Sequence, residues 1–259
     1  MNKFTLHHGD CLDLMRTIPD RSVDLVLCDL PYGTTKCKWD AIIPFEPLWA
    51  EYKRITKKDA AVVLTACQPF TSALVMSNLP WFKYELIWQK SKSGSAFTAQ
   101  YRPLAKHENV LVFGRGRTKY NPQMRQGEPY QRVRKPGAKN NHNLGLGKSE
   151  SVSINTGERY PDSVMPFRQQ WRRQDQVHPT QKPVSLMEYL ILTYSDEGDT
   201  VLDNCMGSGP VGVACINTGR QFIGMEKEID FFEIARSRIQ HAADQRRAPE
   251  QIHLLDAAE

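Results

Sequence analysis

No apolar run in the sequence approaches the roughly 18 residues needed to cross a bilayer. The opening Met1-Asn2-Lys3-Phe4-Thr5 lacks a hydrophobic signal core. A cytoplasmic protein with no membrane partner is the expectation. Cysteine is sparse: six residues, at 11, 28, 37, 67, 205 and 215, form no C-x-x-C pair. That spacing argues against a zinc site, and no metal is expected. The cysteines read as reduced packing thiols. No internal repeat is present.

What remains describes an ordinary globular chain. Its 259 residues suit one large α/β domain, alone or carrying an insertion. A hydrophobic fraction of 40% and a charged fraction of 24% fit that class, and the length suffices for a core without staples. The net charge of +5 is unevenly spread. Between Gly114 and Lys182 stand 14 lysines and arginines against 5 acids, whereas the remainder holds 20 against 24. A basic surplus confined to one segment is the electrostatic footprint expected for a phosphate backbone, and also occurs in solvated loops.

Four runs in the first 114 residues have strand length and β-branched or aromatic composition: 23–29, 60–66, 84–88 and 109–113. Segments of helical length lie between them, at Pro47–Ile55 and Pro69–Ser77. Strands alternating with helices predict a mostly parallel sheet covered on both faces. From 114 to 177 the periodicity stops and Gly, Asn, Gln, Arg and Pro dominate, punctuated by Tyr120, Tyr130, Tyr160, Phe167 and Trp171. This segment reads as a loop-rich insertion or a disordered tract. The α/β pattern returns with a helix at 183–194, strands at 200–205 and 221–226, and helices at 207–218 and 230–242. The predicted organisation is 1–113 and 178–245 as two halves of one domain, 114–177 as the insertion and 246–259 as a tail.

Asp203-Asn204-Cys205-Met206-Gly207-Ser208-Gly209-Pro210 follows a strand and precedes a helix. Glycines there let the backbone turn sharply beneath a ligand, and the helix start offers unpaired N–H groups. Glu226 ends the next strand, where an acid suits the ribose hydroxyls of an adenosine. The string also fits G-x-G-x-x-G, so a nicotinamide cofactor competes with other adenosine cofactors. The separating feature is Asp29-Leu30-Pro31-Tyr32-Gly33 at the end of the first inner strand, where parallel α/β sheets bind ligands. Nothing in the chain resembles a hydride-transfer site.

Asp29-Leu30-Pro31-Tyr32 resembles the D-P-P-Y motif of amino-group DNA methyltransferases. Asp203 to Gly209 is similar to their D-P-F-x-G-S-G motif, His178 to Pro183 to their H-P-T-Q-K-P element, and Gly9-Asp10-Cys11 to their G-D-C/A element. Catalytic motif, basic region and then cofactor motif is the order of the β group of adenine-N6 methyltransferases. The resemblance runs from about Leu6 to Ile239. Leu30 departs from it, as do Asn204, Cys205 and Pro210; a proline at a helix start loses nothing, since its N–H would be unpaired.

The resemblance implies a Rossmann-like S-adenosylmethionine-dependent fold: a mostly parallel seven-stranded sheet with helices on both faces, circularly permuted, with a basic target-recognition insertion. It implies S-adenosyl-L-methionine as cofactor and double-stranded DNA as partner, with adenine flipped out for methylation at N6. Asp29, Leu30, Pro31 and Tyr32 form the catalytic turn. Asp10, Cys11, Thr180, Lys182, Asp203, Cys205, Gly207, Ser208, Gly209 and Glu226 hold the cofactor, with Thr180 and Lys182 toward its methionine carboxylate. His178 reads as structural. Candidates for DNA contact are Lys36, Lys38, Arg115, Arg117, Lys119, Arg132, Arg134, Lys135, Arg172 and Arg173.

Several alternatives stand beside this reading. Cytosine N4 is the nearest, although Ser usually replaces Asp29 in those enzymes. RNA or a protein glutamine as substrate is more distant, as is a non-catalytic DNA-binding protein of the same fold. A homodimer and a separate cognate restriction endonuclease stay open as partners.

Overall fold

The computed structural model describes residues 4–35, 37, 39–93, 98–134, 150–168 and 181–256. Expectations resting on Lys36, Lys38, Lys135, Arg172, Arg173, His178 and Thr180 lie outside the described residues. The chain divides into two units, one of Met1–Asn121 with Ser163–Glu259 and one of Pro122–Asp162.

The larger unit opens with β1 (Phe4–His8), α1 (Cys11–Met15), β2 (Val23–Cys28), α2 (Phe45–Ile55), β3 (Thr56–Ala66) and α3 (Phe70–Ser77). A 3₁₀ turn at Leu79–Trp81 leads into β4 (Phe82–Gln89), followed by β5 (His107–Phe113). The smaller unit contains β6 (Arg125–Gln126), β7 (Tyr130–Arg134), β8 (Ser151–Asn155) and β9 (Glu158–Arg159). The chain then returns through β10 (Val164–Met165), α4 (Val184–Tyr194), β11 (Thr200–Asp203), α5 (Pro210–Thr218), β12 (Gln221–Glu226) and α6 (Ile229–Asp256).

One sheet runs β1-β12-β11-β2-β3-β5-β4-β10. β5 is antiparallel to both β3 and β4, and the other neighbouring pairs are parallel. Seven strands match the expected sheet; the eighth, β10, is a two-residue addition at the β4 edge. The last strands of the chain, β11 and β12, lie between β1 and β2. That is the circular permutation the motif order implies.

Side-chain alternation builds two cores. Leu25 and Leu27 of β2 pack on one face with Leu190 of α4, Ile216 of α5 and Ile239 of α6. Val26 and Cys28 pack on the other with Met15 of α1, Tyr52 of α2 and Leu74 of α3. Each fully buried aliphatic side chain contributes roughly 1.5–3 kcal/mol relative to exposure. α2 buries Leu48, Trp49, Tyr52 and Ile55, a stripe at helical spacing. α6 runs past the expected end at 242, through the strong helix formers around Gln245-Arg246-Arg247; Arg246 also donates to the Ile216 carbonyl of α5.

The topology fixes where the site lies. Asp10 follows β1, Glu226 ends β12, Asp203 ends β11 and Asp29 follows β2. Four neighbouring strands therefore deliver four acids to one edge of the sheet, at their carboxyl ends, where α/β sheets bind ligands.

Within the smaller unit, β7 and β8 form an antiparallel ribbon in which Arg132 opposes Ser153 and Arg134 opposes Ser151. The Arg159 guanidinium lies 4.8 Å from the Tyr130 ring centroid and donates to the Asn155 side chain.

Candidate active site

The chain leaves β2 at Cys28 and enters the turn Asp29-Leu30-Pro31-Tyr32. Leu30 is 3% exposed and anchors the turn in the core. The Asp29 carboxylate accepts on both oxygens. Its Oδ1 takes the Tyr32 hydroxyl at 2.7 Å and the Thr65 hydroxyl of β3. Its Oδ2 takes the Lys182 ammonium at 2.6 Å. Burial works against the charge, but Lys182 and the two hydroxyls outweigh it and hold Asp29 below the usual carboxylate range. Asp29 is therefore an anion fixed from three sides. Burial, then the charges of Asp29 and Glu108, raise the Tyr32 phenol well above its ordinary value, so it stays a neutral donor. One face of the Tyr32 ring rests on Phe70, with centroids 5.4 Å apart.

The loop after the turn is organised by Asp40. Its carboxylate accepts the amides of Gly33 and Thr34 at 2.9 Å and of Thr35 at 2.6 Å. Gly33 sits at φ +67°, which a side chain rarely adopts.

On the cofactor side, Gly207 has φ +51° and a Cβ there would meet nothing within 4 Å, so the backbone is bare toward open space. Its amide donates to Glu226 Oε2 at 2.8 Å, while Glu226 Oε1 takes the amides of Lys227 and Glu228 at 2.9 Å. Gly209, at φ +76°, packs so close to α6 that a Cβ would lie 3.0 Å from that of Ala235. Ser208 is 2% exposed and donates to Gln181 at 3.1 Å. Arg238 of α6 donates to the Ser208 carbonyl at 2.5 Å and to Gln181 at 3.2 Å, clamping the loop to the segment before α4. Asn204 is held by the Tyr52 hydroxyl at 2.6 Å, which gives the departure at this position a structural role.

Asp203 is 1% exposed and accepts the Cys205 amide at 3.1 Å. Burial pushes its carboxyl up to about 7, against the lowering effect of the Cys205 amide and Cys28 thiol. Among the described residues it has no cationic partner. Asp10 caps α1 through the Leu12 amide at 3.0 Å and meets Lys227 at 3.2 Å. Cys11 contacts Cys205; that contact and burial hold its thiol far above its usual value, and all six cysteines are free.

Both halves line one cleft of about 670 Å³, bounded by Asp10, Asp29, Tyr32, Asp203, Gly207 and Glu226 among others. The volume is that of a small-molecule site. Its residues fit S-adenosylmethionine: a bare glycine backbone, an acid preset at a strand end and a buried carboxyl lacking a cation.

Residues 23–237 match the N6/N4 family described as DNA methylase. The chain belongs to the DNA methylase family. It is 29% identical over 255 residues to the DNA adenine methyltransferase YhdJ of Escherichia coli (strain K12), covering 92% of this chain and 83% of that protein. The fold resembles the M1.HpyAVI–SAM complex, with a TM-score of 0.62 at 21% identity, over 91% of this chain and 98% of that one. It also resembles the PvuII cytosine-N4-specific DNA methyltransferase, with a TM-score of 0.64 at 14% identity, over 95% and 93%.

Lys182, Arg115 and Lys119, expected at the cofactor or at DNA, each have partners within the protein. Lys182 lines the cleft, but it is 4% exposed and its ammonium is paired with Asp29 and, at 3.3 Å, with Glu108. Arg115, Arg117 and Lys119 follow the antiparallel β5, so they emerge at the opposite edge of the sheet from the acids. There Arg115 lies 5.3 Å over Trp81 and donates to the Lys53 carbonyl. Lys119 pairs with Asp199 at 2.5 Å and Asp196 at 3.0 Å. These contacts place Arg115 and Lys119 in the architecture of the methylase domain. Thr65, Glu108, Arg238 and Tyr52 were not singled out from the sequence, because each reaches the site from a distant part of the chain; Asp40 stands only five to seven positions from the amides it accepts but belongs to no motif.

Proposed function

We propose that this methylase transfers a methyl group to the N6 amino nitrogen of a flipped-out adenine in double-stranded DNA, with S-adenosyl-L-methionine as donor. The observation that carries the reading is an anionic, three-sided Asp29 sharing one cleft with the glycine loop and Glu226. Similarity to YhdJ supports adenine as the base.

When bound, S-adenosylmethionine would supply an electrophilic methyl group, its S–CH3 bond breaking to leave a neutral thioether as the N–CH3 bond forms and the amino nitrogen releases one proton to solvent. Glu226 and Asp10 would hold its adenosine. Gly207 and Gly209 would pass beneath its methionine portion, and Asp203 would answer its ammonium group.

The residues of the chain do the rest. An adenine amino nitrogen is a poor nucleophile because its lone pair is delocalised into the ring. Asp29 Oδ2 and the Leu30 carbonyl are two acceptors on adjacent residues. By accepting the two amino hydrogens they draw them from the ring plane and localise the lone pair. Their effect is electrostatic and depends on placement fixed before the base arrives. The exposed part of the Tyr32 ring offers a stacking surface for the base, stiffened by Phe70 behind it. The aliphatic walls at Leu30, Ile43 and Val211 limit water in the cleft. Exposed Arg132 is a candidate phosphate contact.

Nucleoside mass spectrometry tests the proposal. Unmethylated DNA is incubated with protein and S-adenosylmethionine, then digested, with Asp29→Ala in parallel. N6-methyladenine from the unaltered protein alone is expected. N4-methylcytosine instead would overturn the base, and no methylated nucleoside on DNAs of varied sequence would overturn the activity.

A further inference from the structure

Lys182 stands in a network that neither the glycine loop nor the acid turn accounts for. Its ammonium lies 2.6 Å from Asp29 Oδ2 and 3.3 Å from Glu108 Oε2, and 5.5 Å from the Tyr32 ring centroid. The side chain is 5% exposed. A buried ammonium is costly unless paired, and here two carboxylates pair it. The dependence is mutual: Glu108 Oε2 is buried and has no hydrogen-bond partner, so the ammonium is its compensation. The other oxygen of Glu108 pairs with Lys90.

We propose that Lys182 is a positioning residue for methyl transfer, its ammonium bridging Asp29 and Glu108 so that the Asp29 carboxylate meets the base as an oriented, charged acceptor. The proposal rests on the reading of Asp29 as the acceptor of the amino hydrogen.

A carboxylate has about four lone-pair sites. Tyr32 and Thr65 take those of Oδ1, and Lys182 takes one of Oδ2. A single acceptor position, on Oδ2, is left for the substrate. The two hydroxyls thus leave Oδ2 to face the base, and Lys182 fixes which direction on that oxygen stays open. It also separates two carboxylates. With the ammonium gone, Asp29 and Glu108 would share a buried site, and the pair would take up a proton, as like charges do. A protonated Asp29 would donate where it must accept.

The other charged or titratable groups around the pair do not replace Lys182. Lys90 is engaged by Glu108 on the far oxygen. Burial and Glu108 raise the Cys67 thiol, which stays neutral. Asp203 is itself pushed up to about 7, largely by burial.

The test measures single-turnover methylation against pH, with protein and S-adenosylmethionine in excess over DNA. Folding and cofactor binding are confirmed by calorimetry. Product from the unaltered protein establishes the underlying reading; its complete absence at every pH would remove that reading, and this proposal with it. Given that product, Lys182→Met should move the acid limb upward by at least one pH unit. Lys182→Arg, which keeps the charge, should retain the parent limb even where its rate falls. Lys182→Met with Glu108→Gln, which removes the second carboxylate, should fall between the parent and Lys182→Met. It carries the same test should the single variant fail to fold, since its limb must still lie above the parent's. A parent-like acid limb without the lysine, or a limb that moves equally in Lys182→Arg, would overturn the proposal.

Discussion

The Gly207 amide donates to Glu226 Oε2 across 2.8 Å, so the glycine loop and the acid at the end of the next strand form one structure. Two further amides fix Oε1, and the carboxylate is oriented before any ligand arrives. Glu226→Ala should weaken S-adenosylmethionine binding more than tenfold, about 1.4 kcal/mol or more. Glu226→Gln keeps an acceptor for Gly207 and should lose less. Calorimetric titration measures both; an unchanged affinity in the alanine variant would remove Glu226 from the cofactor site.

Asp203 gives cofactor binding a pH dependence of definite sign. Its carboxyl is pushed up to about 7 in the free protein, against roughly 3.9 in an unfolded chain. Below about 7 it is protonated, and meeting an ammonium group requires it to release that proton. Affinity for S-adenosylmethionine should therefore rise with pH, approaching tenfold per unit, and level off above 7. The same shift means that Asp203 stabilises the free fold at low pH and that this contribution is lost as pH rises through about 7. In Asp203→Asn the slope of affinity between pH 5.5 and 7 should vanish. A slope that persists in that variant would assign it to another group.

Much of the site was legible because its pieces are local. An acid, Leu30, Pro31 and Tyr32 at a strand end, and glycines between a strand and a helix, are contiguous in sequence and have local physical reasons. The strand-length, mostly apolar runs at 23–29 and 60–66 likewise placed β2 and β3. What stayed hidden depends on contacts between distant segments. Lys182 reaches Asp29 across 153 positions and Tyr52 reaches Asn204 across 152, and no spacing rule links such residues. The antiparallel direction of β5 is equally invisible in an apolar run, yet it sends Arg115 and Lys119 to the far edge of the sheet. β1 lacks a strong apolar run because its faces are only half-buried.

Tyr52 joins α2 to the cofactor strand through a buried hydrogen bond of 2.6 Å to Asn204 Oδ1. Tyr52→Phe keeps the ring in the core and leaves the amide oxygen without this donor. An unsatisfied buried acceptor costs roughly 1–3 kcal/mol, so the variant should unfold at lower denaturant with an unchanged slope. Cofactor affinity should also fall, since Asn204 lies between Asp203 and Cys205. A parent-like unfolding midpoint would mean that the Asn204 oxygen finds another partner.

Arg132 and Lys119 were equal candidates for DNA by sequence, and the structure separates them. Lys119 is 23% exposed on its side chain and bound by two aspartates, whose contacts raise its pKa despite burial. An ammonium already neutralised releases few counterions from a phosphate backbone. Arg132 is exposed and has no carboxylate partner among the described residues. Each phosphate contact contributes about 0.9 to the slope of log affinity against log salt on duplex DNA. Arg132→Ala should therefore weaken binding and flatten that slope by about one unit or less. Lys119→Ala should leave both unchanged while lowering thermal stability by about 1 kcal/mol. Titrations of duplex DNA at several salt concentrations, with melting curves beside them, make the comparison. A reduced slope in Lys119→Ala with a parent slope in Arg132→Ala would reverse the assignment and move the DNA contact to the edge of the sheet opposite the acids.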